Sequence, residues 1–160
     1  MPLPLQELAS RHPLFNRLTG QVIWLLFEER GIEPPVIDAF MGRYLAWRER
    51  HLEILRPVLE QRAEDTPYIQ IQTRPGSGAC ASCASLNGLI LPVGSPLARN
   101  FLPPYSLGCR TSAVLLSRAA FNSLPNPRLV DDTIPLPRPK LHCDDDWIFH
   151  ADWTGPGFLP

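Results

Sequence analysis

The chain has 160 residues, 44% of them hydrophobic and 19% charged, a composition typical of one globular domain and not of a disordered chain. Its formal net charge of −1 at pH 7 excludes a global electrostatic attraction to nucleic acid or to a membrane surface. Nineteen prolines exceed the usual share of about 5%, and they favour extended connections over an all-helical bundle.

The first 31 residues carry a spacing of apolar residues that is typical of helices. A short segment from Leu5 is expected to be helical until Pro13 interrupts it. Apolar residues then recur at helical spacing between Leu14 and Leu26. Gly31 is a suitable stop because glycine readily takes the left-handed conformation that ends many helices.

A second helix is predicted after Pro34-Pro35, because proline lacks only a donor that would be unpaired in the first turn. Its apolar face continues to Leu59, and Pro57 is expected to kink or restart it. The short connection at 31–35 predicts an antiparallel pair of helices within residues 1–65. Three aromatic residues of this pair are interpreted as packing residues: Trp24, Phe40 and Trp47.

The middle segment, residues 66–124, changes to strand and turn patterns. Tyr68–Thr73 alternates apolar and polar residues, which predicts a strand. The Asn87-Gly88 pair predicts a turn, and a short apolar strand follows at 89–93. Thr111 or Ser112 is expected to cap a short helix that runs to about Phe121.

Residues 125–160 begin with prolines and end with aromatic and acidic residues. The prolines of 125–139 exclude a helix and favour an extended arm. The end is too aromatic for a solvated tail, so we expect it to dock on the rest of the chain or on a partner. Its aromatic residues are Trp147, Phe149, Trp153 and Phe158.

The predicted fold is α+β in one compact unit. It consists of an N-terminal helical hairpin, a small irregular cysteine-rich region with strands, a short helix and a Pro-rich C-terminal arm. The longest apolar run is far too short to span a bilayer, and the first residues lack the pattern of a signal peptide. We therefore predict a cytoplasmic protein.

Charges are segregated along the chain. Residues 66–130 contain five arginines and no acidic residue, whereas residues 131–160 contain six aspartates against one arginine and one lysine, a net charge of −4. This asymmetry favours an acidic tail that folds back over the basic middle. Two separately solvated faces would give the same pattern.

Three of the four cysteines lie in one stretch rich in glycine, alanine and proline. Cys80 and Cys83 form a C-x-x-C pair, Cys109 follows, and Cys143 comes later beside His142. In a cytoplasmic protein this spacing is more typical of a metal site than of a disulfide. Zinc takes four such ligands in a tetrahedron. We predict a structural zinc site of Cys80, Cys83, Cys109 and Cys143, with His142 as the alternative fourth ligand.

Other interpretations of these cysteines stay open. They could be buried or incidental thiols, or Cys80 and Cys83 could form an exchanging dithiol, although no βαβ pattern surrounds the pair. No carboxylate or histidine within the motif could act as a base, so an enzyme is not expected. His12, His51 and His150 are scattered, and we interpret them as ordinary core or surface histidines.

The motif residues follow one order along the chain: Thr73-Arg74, Cys80-x-x-Cys83-x-x-Leu86-Asn87-Gly88, Pro103-Pro104 and Cys109-Arg110. This order resembles the C-terminal motif of the phage Mu protein F-like head morphogenesis proteins, also called minor head proteins. The family pattern is an arginine before C-x-x-C-x-x-L-D-G, followed by P-P-x-H-x-x-C-R-C. The resemblance covers about forty residues. It implies that Cys80, Cys83 and Cys109 match family cysteines, and that Arg74, Gly88 and Arg110 match its arginines and turn glycine.

Three positions differ from the family pattern. Ser106 stands in place of the histidine, Thr111 in place of the last cysteine, and Asn87 in place of the aspartate. The missing histidine removes a ligand, so the site is either closed by Cys143 or His142, or it binds no metal. The helical segment before the motif is also short, so a full minor head protein is not expected.

These patterns favour a non-enzymatic structural or interaction protein with a zinc-stapled cysteine region, related to phage head morphogenesis. The expected partners are proteins, either portal or capsid components or a second copy of the chain, and neither a membrane nor nucleic acid is expected. The resemblance implies association with the virion. Two alternatives are a dithiol redox protein that uses Cys80 and Cys83, and a small zinc-containing nucleic-acid-binding module that uses the arginine-only middle segment.

Overall fold

A computed structural model of the chain describes residues 1–60, 66–73, 84–95, 98, 101–105, 109 and 111–130. These residues form an α+β fold, as the sequence predicts. The helices are α1 (Leu5–Arg11), α2 (Pro13–Arg17), α3 (Gly20–Glu29), α4 (Pro34–Leu59) and α5 (Arg118–Asn122). The strands are β1 (Tyr68–Thr73), β2 (Leu89–Pro92), β3 (Thr111–Leu116) and β4 (Arg128–Leu129).

α3 and α4 pack against each other across the turn at Gly31. Gly31 has a φ of 73°, the left-handed conformation that glycine adopts without strain, so its predicted role as a helix stop is confirmed. The rings of Phe27 and Phe40 lie 4.7 Å apart near this turn. Farther from it, the Tyr44 hydroxyl donates to the carbonyl of Leu18, at 2.6 Å. This order of contacts is antiparallel, as predicted.

The 26-residue helix α4 continues through Pro57 to Leu59, so the predicted restart at Pro57 is wrong. Pro57 lies near the end of the helix, where the missing N–H removes one backbone hydrogen bond and leaves no long segment to destabilise. Packing of the flanking side chains offsets this loss. The buried residues of α4 are Ile37, Phe40, Tyr44, Trp47, His51, Leu52, Leu55, Val58 and Leu59. Packing roles are confirmed for Phe40 and Trp47, and the half-buried Trp24 packs against the same core.

The sheet has the strand order β3-β1-β2-β4. β1 is antiparallel to both of its neighbours, and β4 is parallel to β2. Ile69 and Ile71 of β1 are buried, and α4 packs against β3. Side chains of the helices and the sheet form one continuous core that extends from Leu8 to Val130.

The helix predicted from Thr111 to about Phe121 is wrong in its first half, because Thr111–Leu116 forms β3. This segment pairs with β1 along all six residues, from Tyr68 opposite Leu116 to Thr73 opposite Thr111. Its buried residues alternate, which suits a strand that has one covered face. The helix begins only after Ser117, whose hydroxyl accepts the Ala120 amide at 3.0 Å.

The Pro-rich arm begins as an extended segment, as predicted. Arg128–Leu129 forms β4, and the amide of Val130 donates to the carbonyl of Ile90 at 2.9 Å. The remainder of the arm, 131–160, and the predicted docking of its aromatic end lie outside the described residues. In the part of the chain that the structure describes, no helix is long and apolar enough to cross a membrane.

Candidate functional site

Cys109 is the one predicted zinc ligand that falls within the described residues. It is buried, with 7% of its surface exposed, and it precedes β3 by two residues. Cys80, Cys83, Cys143 and the alternative ligand His142 lie outside the described residues. Among the residues that are described, no group of three or more His, Cys, Asp or Glu side chains could hold a metal ion.

The end of β1 that precedes the C-x-x-C segment lies beside the start of β3, the strand that follows Cys109. Thr73, the last described residue before the segment, is paired with Thr111 across β1 and β3. Their hydroxyl oxygens lie 3.0 Å apart, and both side chains are buried. This hydrogen-bonded pair fixes the register of the two strands at the end of the sheet where Cys109 lies.

The chain is described again from Ala84, in a turn that is held to the same end of the sheet. The side-chain oxygen of Asn87 accepts the amide of Thr73 at 2.9 Å, and the amide of Gly88 donates to the carbonyl of Ile71 at 2.7 Å. Gly88 has a φ of 82°, which explains the requirement for glycine. The predicted Asn87-Gly88 turn is confirmed.

Arg128 of β4 closes the turn from the other side. Its guanidinium donates to the carbonyl of Ser85 at 3.2 Å and to the carbonyl of Asn87 at 2.8 Å. One side chain therefore satisfies two carbonyls of the turn that follows Cys83. Nothing in the local sequence indicates this contact, because Arg128 is separated from the turn by more than forty positions.

Two buried histidines, His12 and His51, connect the helices to the loop before β3; together they are called the histidine clasp below. His12 lies between α1 and α2, where its Nδ1 accepts the amide of Leu14 at 3.2 Å. Its Nε2 therefore carries the proton and donates to the carbonyl of Pro103 at 3.0 Å. Burial lowers the pKa of His12 to about 4, although the backbone bonds to Pro103 and Leu102 oppose this shift.

His51 forms the second half of the clasp, on the buried face of α4. Its ring packs on Trp47 at a centroid distance of 4.8 Å, and it hydrogen-bonds to the backbone of Cys109. The pKa of His51 is lowered to about 4, mainly by burial; the nearby His12 and Arg50 also lower it, and the hydrogen bond to Cys109 raises it. His51 thus connects α4 directly to the backbone of a predicted zinc ligand.

The interpretation of His12 and His51 as core histidines is confirmed, but their contacts with the loop are not visible in the sequence. They lie 39 positions apart and far from the loop that they bind. Neutral imidazoles at pH 7 suit this role, because each ring can donate one hydrogen bond to a backbone carbonyl without burying a charge. The role of the clasp is therefore to position the loop.

The loop itself is buried along its described length. Residues 101–105 are all buried, and the hydroxyl of Tyr105 donates to the carbonyl of Phe101 at 2.7 Å. Since Pro103 and Cys109 are both held by histidines, the backbone on either side of 106–108 is attached to the helices.

No protein-family model, no curated protein and no solved structure matches this chain. The resemblance to the Mu protein F-like motif stays a prediction that rests on the motif residues themselves.

Proposed function

We propose that this chain is a non-enzymatic, cytoplasmic structural protein whose cysteine region is stapled by one zinc ion. In this proposal Cys80, Cys83 and Cys109 are three ligands, and Cys143 is the fourth, with His142 as the alternative. The zinc fixes a loop-rich region that has few apolar side chains of its own. Metal binding and the ordering of this region are then one equilibrium.

The observation that carries the proposal is the pairing of Thr73 with Thr111. The C-x-x-C segment starts directly after Thr73, and Cys109 stands two positions before Thr111. The segment ends at the Ala84 turn, whose Asn87 binds the amide of Thr73. Both ends of the segment are thus held near the backbone of Cys109, which supports a shared metal site.

The rigid surroundings of Cys109 give a second reason. A structural zinc site needs ligands on backbone that is positioned before the metal binds. His51 supplies this for Cys109, because it hydrogen-bonds to the backbone of that residue. Asn87 in place of the family's aspartate keeps an oxygen acceptor for the Thr73 amide, so this departure preserves the turn.

Zinc titration of the variants tests the ligand set. The chain with Cys80→Ser should lose most of its zinc affinity in competition with a chelating indicator, because a serine hydroxyl is a poor zinc ligand. Ser82→Ala is the matched control, since it changes the same C-x-x-C segment without removing a thiol. Comparing Cys143→Ser with His142→Ala identifies the fourth ligand. Equal zinc affinity in the wild type, Cys80→Ser and Ser82→Ala would overturn the staple.

For the biological role, we propose protein–protein interaction in phage head morphogenesis. The resemblance of the cysteine motif supports it. The partners would be portal or capsid proteins or a second copy of this chain. Produced together with the head proteins of its phage, the chain should sediment with the particles. Absence from the particles at all stages of assembly would contradict this role and leave the zinc proposal standing.

A further inference from the structure

A cavity of about 290 Å³ lies where α1, the end of α4 and the sheet meet. Its walls are mainly aliphatic and include Val58, Ile69 and Val93. An apolar cavity of about 150 Å³ is large enough for benzene, and pockets for drug-sized ligands start at about 300 Å³. The volume therefore suits one large aromatic ring, such as an indole.

Arg11 supplies the charge among the described residues that line this cavity. Its guanidinium lies 2.9 Å from the carboxylate of Glu7, and both side chains are nearly half exposed. Such an exposed ion pair is weak, and most of the five guanidinium donors stay available. The cavity therefore favours a ligand that carries an aromatic ring beside a carboxylate.

The chain leaves the described structure close to this cavity. β4 is parallel to β2, with Leu129 beside Ile90, so Val130 comes level with Leu91. Val93 of the cavity wall directly follows β2, in the turn that ends this strand, so it lies farther in the same direction. The described part of the arm therefore runs towards the end of the sheet at which the cavity lies.

The arm carries the matching chemistry twice. Asp146-Trp147 and Asp152-Trp153 each place a carboxylate directly before an indole, in a segment of net negative charge. Trp147 lies seventeen positions after Val130, a distance that spans up to about 55 Å when the chain is extended. Both pairs can reach the cavity from their own chain.

We propose that the segment 144–153 docks on its own chain, with one of its two tryptophans in the cavity and the preceding aspartate at Arg11. The Pro-rich arm is then a strap that passes from β4 to the junction of α1 and α4. This docking involves no cysteine, so it does not rest on the zinc proposal. Proline suits such a strap because it reduces the entropy that is lost on docking.

Fluorine NMR on the full chain, labelled with 5-fluorotryptophan, tests the docking. Tryptophan-to-phenylalanine variants assign the four resonances. Trp47 is 2% exposed and is the internal standard for a buried indole, whereas the free amino acid is the standard for full exposure. One resonance of Trp147 or Trp153 is expected to show a solvent isotope shift close to that of Trp47.

Two variants of the cavity should release that tryptophan. Ala98→Phe fills the cavity from a buried position, and Arg11→Glu reverses the charge at its mouth. In each variant, the solvent isotope shift of the protected resonance should increase to that of the free amino acid. The matched controls are Ala39→Phe and Arg17→Glu, which make the same changes at exposed positions outside the cavity. If Ala98→Phe does not fold, the Arg11 pair of variants decides the question.

Three results would overturn the proposal. The first is full solvent exposure of both Trp147 and Trp153 in the wild-type chain. The second is protection that neither cavity variant changes, because the tail would then dock elsewhere. The third is protection that disappears on dilution together with a fall in hydrodynamic size, which would place the tail on a second copy of the chain.

Discussion

Replacing His12 with phenylalanine tests whether the histidine clasp holds the loop before β3 on the helices. Phenylalanine keeps a ring of similar size at the position that packs on Phe15 with a centroid distance of 4.7 Å. It removes both hydrogen bonds, one to the amide of Leu14 and one to the carbonyl of Pro103. All of these groups are buried, so water cannot easily replace the lost partners.

The expected loss of stability follows from the two contacts. Loss of the N-cap interaction at Leu14 costs about 1 kcal/mol. A buried carbonyl of Pro103 that is left without a donor costs about 1–3 kcal/mol. We therefore expect His12→Phe to lower the free energy of unfolding by about 2–4 kcal/mol, a large part of the roughly 5–15 kcal/mol that is typical of a domain.

Urea denaturation followed by circular dichroism measures this loss, provided that the m-value is unchanged. Ser117→Ala is the control, because the half-buried Ser117 side chain caps α5 by accepting the amide of Ala120. That variant should lose about 1 kcal/mol, the cap contribution alone. If His12→Phe lost no more than Ser117→Ala, the contact with Pro103 would contribute nothing and the role of the clasp would be refuted.

Three further predictions concern the clasp and the sheet end. Burial lowers the pKa of both clasp histidines to about 4 from an unfolded value of 6.5, so the unfolded chain binds more protons between these values. The free energy of unfolding should be constant above about pH 6.5 and should fall by about 3 kcal/mol per histidine as the pH drops towards 4. A free energy of unfolding that does not change between pH 6.5 and 4 would contradict the burial of neutral rings. Thr73→Val should lower the free energy of unfolding by about 1–3 kcal/mol because it leaves the Thr111 hydroxyl unpaired. The double variant with Thr111→Val should recover most of this loss, and additive losses of the two single variants would disprove the pairing. Arg128→Ala should weaken zinc binding, because Arg128 holds the turn after Cys83. Arg118→Ala, at an exposed position on α5, is the control and should leave zinc affinity unchanged. Equal zinc affinities of the two variants would show that the turn does not influence the metal site.

The helical half of the fold was predictable because its signals are local. The interruption at Pro13, the prolines at the start of α4 and the glycine after α3 are features of a few adjacent residues, and the structure confirms all three. The segment 111–116 is predicted as part of a helix because Thr111 or Ser112 is a suitable N-cap. Its strand conformation depends on β1, about forty positions away, which no local pattern reports.

The candidate site was only partly predictable for the same reason. The C-x-x-C spacing and the Asn87-Gly88 turn can be recognised within a few residues, and the turn is confirmed. The contacts of the clasp with the loop and the contacts of Arg128 with the turn join positions that are 41 to 91 residues apart. Their residue types are common in cores and on surfaces, so only the folded chain shows their partners.

Zinc content is the measurement that tests the central claim most directly. The full chain, purified without added metal and without a metal-affinity tag, is analysed for bound elements together with its Cys80→Ser variant. The proposed staple predicts about one zinc ion per wild-type chain and almost none in the variant, with a parallel loss of stability. A folded wild-type chain with far less than one zinc, and with the same stability as Cys80→Ser, would contradict it.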